Sequence, residues 1–175
     1  MSRRLEESVR RLENKIKKLT VEVGSGDERA LDEDLLTKTD SHSGDLVIIG
    51  TSTGASVVKG NLVYLNSSRQ WNRAAAGDGA NAGDKHLIGI AVSTTPHSDG
   101  VLATGLYSLN TSLVSGSISA AGNFDVGQQV FMHPHTSGSY TTLIPSGSGE
   151  TVRVIGHAVN TSVIFFNPSG DFIEV

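Results

Sequence analysis

No cysteine occurs in the 175 residues, so a disulfide framework, a thiolate metal site and a cysteine nucleophile are all excluded. Tryptophan occurs once and aromatic residues make up 5% of the chain, which leaves few rings to stack on bases or sugars. No apolar run approaches the ~20 residues of a membrane span, and the charged N-terminus lacks the apolar core of a secretory signal. Positive charge is not in excess either. The 14 Lys and Arg stand against 18 Asp and Glu, which argues against a surface that coats phosphates. The expectation is a soluble protein with no cofactor and with neither nucleic acid nor membrane as partner.

The charges that are present are unevenly spread. Residues 1–18 carry seven basic and three acidic side chains, residues 19–45 two and eight, and the remaining 130 residues only five and seven. The long neutral part is rich in Gly, Ser, Thr, Asn and Val, with turn residues throughout, so it reads as all-β. Four segments follow: a helix (1–23), an acidic connector (24–44) and two β modules (45–110 and 111–175).

Leu5, Val9, Leu12, Ile16, Leu19 and Val23 recur with spacing 4-3-4-3-4, a heptad seam with β-branched residues at a and leucine at d. Glu6 with Arg10, Glu7 with Arg11 and Glu13 with Lys17 are i,i+4 pairs in the favourable order. Gly24 and Gly26 then stop the helix. A helix lying on its own β body would need a wider apolar stripe, whereas the flanking positions are Ser8, Glu13, Lys15 and Thr20. These six residues are therefore the expected oligomer interface. The connector's leucines, Leu31, Leu35 and Leu36, are expected to dock on a partner or on the β body.

The β body repeats itself at an offset of 67 residues. Gly60, Val63, Tyr64 and Leu65 align with Gly127, Val130, Phe131 and Met132; Ile88, Gly89, Ala91, Val92 and Thr94 align with Ile155, Gly156, Ala158, Val159 and Thr161. This predicts two tandem related small β-barrel or sandwich modules. Strands are expected in residues 61–66, 87–92 and 100–109 and again in 128–133, 152–159 and 162–167. Residues 45–49 and 171–175 would open and close the body.

The strings V63-Y-L-N-S-S, L87-I-G-I-A and G100-V-L, together with the ending from Ser146 to Val175, resemble the repeated β modules of tailed-bacteriophage virion proteins. The resemblance covers about residues 45–175. It implies a non-enzymatic structural protein of the virion, assembled in the host cytoplasm. The subunit would be of the capsid-decoration, head-fibre or tail-fibre type, commonly a homotrimer, bound to capsid or other virion proteins. The alternative is a receptor-binding fibre tip that recognises host surface glycans.

Several residues could carry chemistry. Gly50-Thr51-Ser52-Thr53-Gly54 has the form of a nucleophile elbow, but a β pattern follows where a helix is required, so Ser52 is expected in a hairpin turn. His133-Pro134-His135 would place two imidazoles on one strand face if the segment stayed extended. In a parallel trimer six such rings could surround one metal on the threefold axis, although Pro134 disturbs a strand. His42, His86, His97 and His157 have no ligand spacing. Asp78, Asp84, Asp99, Asp125, Glu150 and Asp171 lie in turn contexts and form no evident glycosidase pair. Trp71, Tyr64, Tyr107 and Tyr140 could form a sugar-stacking surface. The strand patterns around Tyr64 and Tyr107, and the nearly equivalent places of Trp71 and Tyr140 in the two repeats, favour packing in a core or interface instead. Asn66, Asn110 and Asn160 head N-x-S/T triplets that mean little without a secretory signal. The reading is no enzyme and no resident metal.

Overall fold

Apolar residues at every second position form strands because alternate side chains leave the backbone on opposite faces. The computed structural model describes residues 38–54, 56–77, 86–110, 113–115 and 124–175. Of the two units into which the chain divides, Met1–Glu33 and Asp34–Val175, the first lies outside the described residues, and with it the Leu5–Val23 seam. Leu35 and Leu36 lie outside them too.

The first half contains β1 (His42–Val47), β2 (Ser52–Thr53), β3 (Leu62–Leu65), β4 (Gln70–Arg73), β5 (Ile88–Ala91), one helical turn α1 (Pro96–Asp99) and β6 (Val101–Ser108). The second contains β7 (Val114–Ser115), β8 (Gln129–Met132), β9 (Tyr140–Thr141), β10 (Thr151–Val152), β11 (Val154–Ala158), β12 (Val163–Phe166) and β13 (Ile173–Glu174). Eleven strands share one sheet in the order β2-β4-β3-β5-β6-β12-β11-β8-β9-β7, with β1 also paired to β6; β10 and β13 make a separate ladder.

Outward from the β6–β12 junction the two sides have the same order. β5, β3, β4 and β2 follow on one side, β11, β8, β9 and β7 on the other. The outermost pairs are parallel in both cases and the inner ones antiparallel. Register repeats as well. Val63 faces Gly89 as Val130 faces Gly156, and Leu62 faces Ile90 as Gln129 faces His157, so the 67-residue offset is kept in the ladders. Leu65 opposes Trp71 as Met132 opposes Tyr140. The N–H of Gly60 donates to Ala91 O and that of Gly127 to Ala158 O, each at 2.8 Å; both glycines have positive φ, +84° and +81°.

The repeated glycine of β5 and β11 has a steric cause. A Cβ on Gly156 would lie 2.4 Å from the carbonyl oxygen of Phe165, and one on Gly89 would lie 2.9 Å from that of Leu102. The neighbouring strand crosses too closely for any side chain.

β6 joins the halves. Its residues pair with β1 along nearly their whole length, while Val101 and Leu102 also pair with β5, and Gly105–Ser108 with β12. Two strands thus share one edge of β6, and the two half-sheets splay from it and close on a common core. That core takes Leu62, Tyr64, Ile88 and Ile90 from the first half and Val130, Met132, Tyr140, Ile155, Ile164 and Phe166 from the second. The opposite face of the first half is a smaller cluster of Val57, Val63, Trp71, Ala91 and Val101. Alternate residues of β3 therefore serve different cores, which is why its apolar run is continuous. Each large side chain so buried contributes about 1.5–3 kcal/mol by leaving water.

Among the described residues no barrel closes. The sheet path ends in β2 and β7, each two residues long, and these do not pair with one another. The barrel form of the expected modules is thereby corrected, because closure requires the terminal strands to complete a ladder. The two halves are instead joined away from those ends by separate backbone bonds, from Leu62 N to Gly138 O at 3.0 Å and from Ala76 N to His133 O at 3.1 Å.

Candidate functional site

Ser52 lies in β2, paired in parallel with Gln70 of β4, and not in the expected hairpin turn. The next element after β2 is the strand β3 and not a helix, so the strained strand-to-helix turn that would aim a nucleophile is lacking. The neighbouring Thr53 is the residue that meets an imidazole, its Oγ1 2.7 Å from Nδ1 of His97. Pro96 opens α1 and the Gly100 amide closes it on Pro96 O, and that turn sets His97 beside β2. Asp99 is engaged elsewhere, accepting from Thr95 Oγ1 at 2.6 Å and Ser98 Oγ at 3.2 Å. Hydroxyl hydrogen bonds, first from Ser93 and then from Thr95, hold its carboxyl below the usual range. The cluster braces the β5–β6 connection and aligns no hydroxyl–imidazole–carboxylate relay.

A cleft with a volume of about 540 Å³ lies in the second half. His133, Pro134 and His135 form one wall, Leu143, Ile144 and Pro145 the other, and Ser146, Gly147 and Glu150 border it. Glu150 is buried, which a carboxylate tolerates only with full hydrogen bonding. Its Oε2 accepts the amides of Ser146 at 2.9 Å and Gly147 at 2.8 Å, and Oε1 lies 3.2 Å from Nε2 of exposed His135. The carboxylate thus shapes the 146–150 turn from within.

The chain does not stay extended past Pro134; it bends, and the two imidazoles meet edge to face with centroids 6.2 Å apart. His133 Nδ1 accepts two amides, from His135 at 3.0 Å and Thr136 at 2.9 Å. A neutral ring that accepts at Nδ1 carries its proton on Nε2, so neither nitrogen of His133 is free to ligate a metal in this conformation. The extended His-x-His arrangement required for a threefold metal site is thereby corrected. No group of three or more metal-ligating side chains occurs among the described residues.

All four aromatic residues considered for sugar stacking are buried. Trp71 Nε1 donates to Ile49 O and Tyr140 Oη to Gly60 O, each at 2.7 Å, and Tyr107 Oη donates to Asp40 Oδ1 at 3.4 Å. Tyr64 packs against the ring of His86. They are core residues, three of them with hydrogen-bonded polar tips, and they offer no exposed stacking surface. His42 lies parallel to the Tyr107 ring and His157 is exposed on β11. Asp78 and Asp84 lie outside the described residues.

Composition did not single out the segment 142–145. Leu143 is 55% and Ile144 63% exposed, two large apolar side chains in succession at the cleft rim. Beside them Thr142 Oγ1 is the one buried side-chain polar atom without a partner among the described residues. An apolar pair before proline within a Ser/Thr/Gly-rich stretch was the available signal, since Pro145 ends pairing there. Comparison with protein-family models, curated proteins and solved structures finds no match for this chain.

Proposed function

We propose that this chain is a non-enzymatic structural subunit of a tailed-bacteriophage virion, a capsid-decoration or short fibre protein that stabilises the particle by covering joints between other subunits. The observation that carries the reading is the Thr142–Ile144 segment. It presents two large exposed apolar side chains in succession at the cleft rim, which a second protein surface would bury. Ile173, at 70% exposure, and Val175, at 50%, add apolar surface in the closing segment. The resemblance of residues 45–175 to virion modules points the same way.

On this reading the two sides of the sheet are copies of one module, supported by their common strand order and register. The assembled form is a homotrimer in which the Leu5–Val23 seam assists and the β body supplies most of the interface. Binding only to the assembled particle stabilises it by mass action, through an interface of the ~1,200–2,000 Å² usual for specific contacts.

Reconstruction of intact particles tests the reading: density for this chain on the shell or a fibre is expected, and its absence from purified particles overturns it. Sedimentation of the whole protein tests the stoichiometry, since a dimer would defeat the trimer. With Leu12→Asp, at the middle of the seam, the protein should remain trimeric; monomers would show that the seam holds the assembly.

A further inference from the structure

The turn after β8 is closed by an imidazole instead of a carboxylate or hydroxyl. His133 is pinned through its backbone, its N–H donating to Ser139 O and its carbonyl accepting from Ala76 N, both at 3.1 Å. The side chain curls back so that Nδ1 receives the next two available amides, those of His135 and Thr136; Pro134 has none to give. This geometry exists only while Nδ1 holds a lone pair. On the imidazolium both nitrogens are donors, so three N–H groups would converge with no acceptor among them. The turn is also wedged between two neighbours. A Cβ at Gly77 would lie 2.5 Å from Pro134 O, and His135 reaches Glu150 across the cleft.

We propose that His133 is a proton-operated latch on the cleft wall: neutral, it clamps the 133–136 turn, and protonated, it releases that turn together with the His135 arm. The latch is a property of the folded chain and does not rest on the virion reading. Two titratable groups of the cleft lining face it. His135, on its own turn, opposes a second positive charge, and Glu150, on the facing turn, favours one; Ala76, Gly77 and Ser139, packed against the turn, carry no charge. Burial is the largest influence on the ring, followed by His135, and together they outweigh Glu150 and hold its pKa below the usual histidine value. Release therefore falls on the acid side of neutrality. What it frees is one wall of the cleft and the contact between residues 76–77 and the second half.

The test uses the full chain, labelled with ¹⁵N. At about pH 8 the imidazole nitrogen shifts should show His133 protonated on Nε2. Amide exchange at His135 and Thr136, corrected for the intrinsic pH dependence, should lose protection by about tenfold or more once His133 is protonated. His133→Asn places a carbonyl oxygen near the Nδ1 position and cannot take up a proton, so protection should persist into acid. His135→Gln should keep the transition but move it to higher pH, since a like charge is removed. An Nδ1-protonated tautomer at high pH, unchanged protection through the titration, or the same acid loss in His133→Asn would each overturn the latch. Should His133→Asn not fold, the tautomer and exchange of the unaltered chain decide alone.

Discussion

Replacing Gly156 by alanine tests the strand crossing on which the second half depends. The added Cβ would stand 2.4 Å from Phe165 O and 3.2 Å from both Phe165 C and Phe166 Cα. All three atoms are backbone, so no rotamer change relieves the contact. Reaching the ~3.3 Å of a close ordinary C···O approach requires β12 to withdraw by about 0.9 Å. That strains the β11–β12 pairs Gly156–Phe166 and His157–Phe165 and loosens Ile164 and Phe166, both fully buried. Overpacking of this kind costs about 2–3 kcal/mol, or about 4–12 °C in Tm for a domain of this size. Two other glycines separate sterics from backbone strain. Gly127 has φ +81° with open space around it, and Gly170 has open space without that strain. Gly127→Ala should cost about 1 kcal/mol for the left-handed conformation alone. Gly170→Ala should be neutral, or stabilise by up to about 1 kcal/mol through the unfolded chain. Thermal unfolding of the three variants by calorimetry should rank them Gly156, Gly127, Gly170 from most to least damaging. Gly156→Ala unfolding at the temperature of the unaltered protein would refute the β11–β12 crossing.

Three further outcomes are expected. All 3 tyrosines are buried, and burial is the first cause that raises each phenol. The native protein should therefore show its phenolate absorbance displaced above the ordinary value near 10. Its stability should fall above pH 10, where only the unfolded chain sheds those protons; a free titration of even one ring at pH 10 in folded protein would contradict this. His42 is held below 6.5, first by burial and then by the Lys59 charge. The unfolded chain thus binds the extra proton, and stability complete above pH 6.5 is lost as pH falls through it. In His42→Gln this part of the acid slope in urea titrations should disappear. The double change Leu143→Ser with Ile144→Ser should leave stability within about 0.5 kcal/mol, as for other exposed sites. If the proposed virion role holds, it should nevertheless weaken retention on the particle, and retention unchanged in a competition assay would remove this segment from the interface.

The β class, the central strands and the 67-residue repeat were legible in the sequence because they rest on local signals. Leu62–Leu65, Ile88–Ala91 and Val101–Ser108 carry dense apolar and β-branched residues, and so do their counterparts in the second half. The recurrence of Gly89 and Gly156 marks a steric need visible as a bare residue type. β4 and β9 were not legible, since Gln70-Trp71-Asn72-Arg73 and Tyr140-Thr141 show no run or alternation and become strands by pairing with β3 and β8. Nor could the sequence join the halves at β6, as nothing local distinguishes a strand that offers one edge to two neighbours. The roles of the polar residues were decided at long range. Tyr140 is fixed by Gly60, which lies 80 residues earlier in the chain, and Glu150 by an amide pair and His135. His133 changes from an apparent metal ligand to the acceptor of its own turn through a bend at Pro134. Periodicity specifies which face of a strand is apolar. Hydrogen-bond partners and the burial of rings depend on which strands come to lie side by side, and that is settled only when the whole sheet has closed on its core.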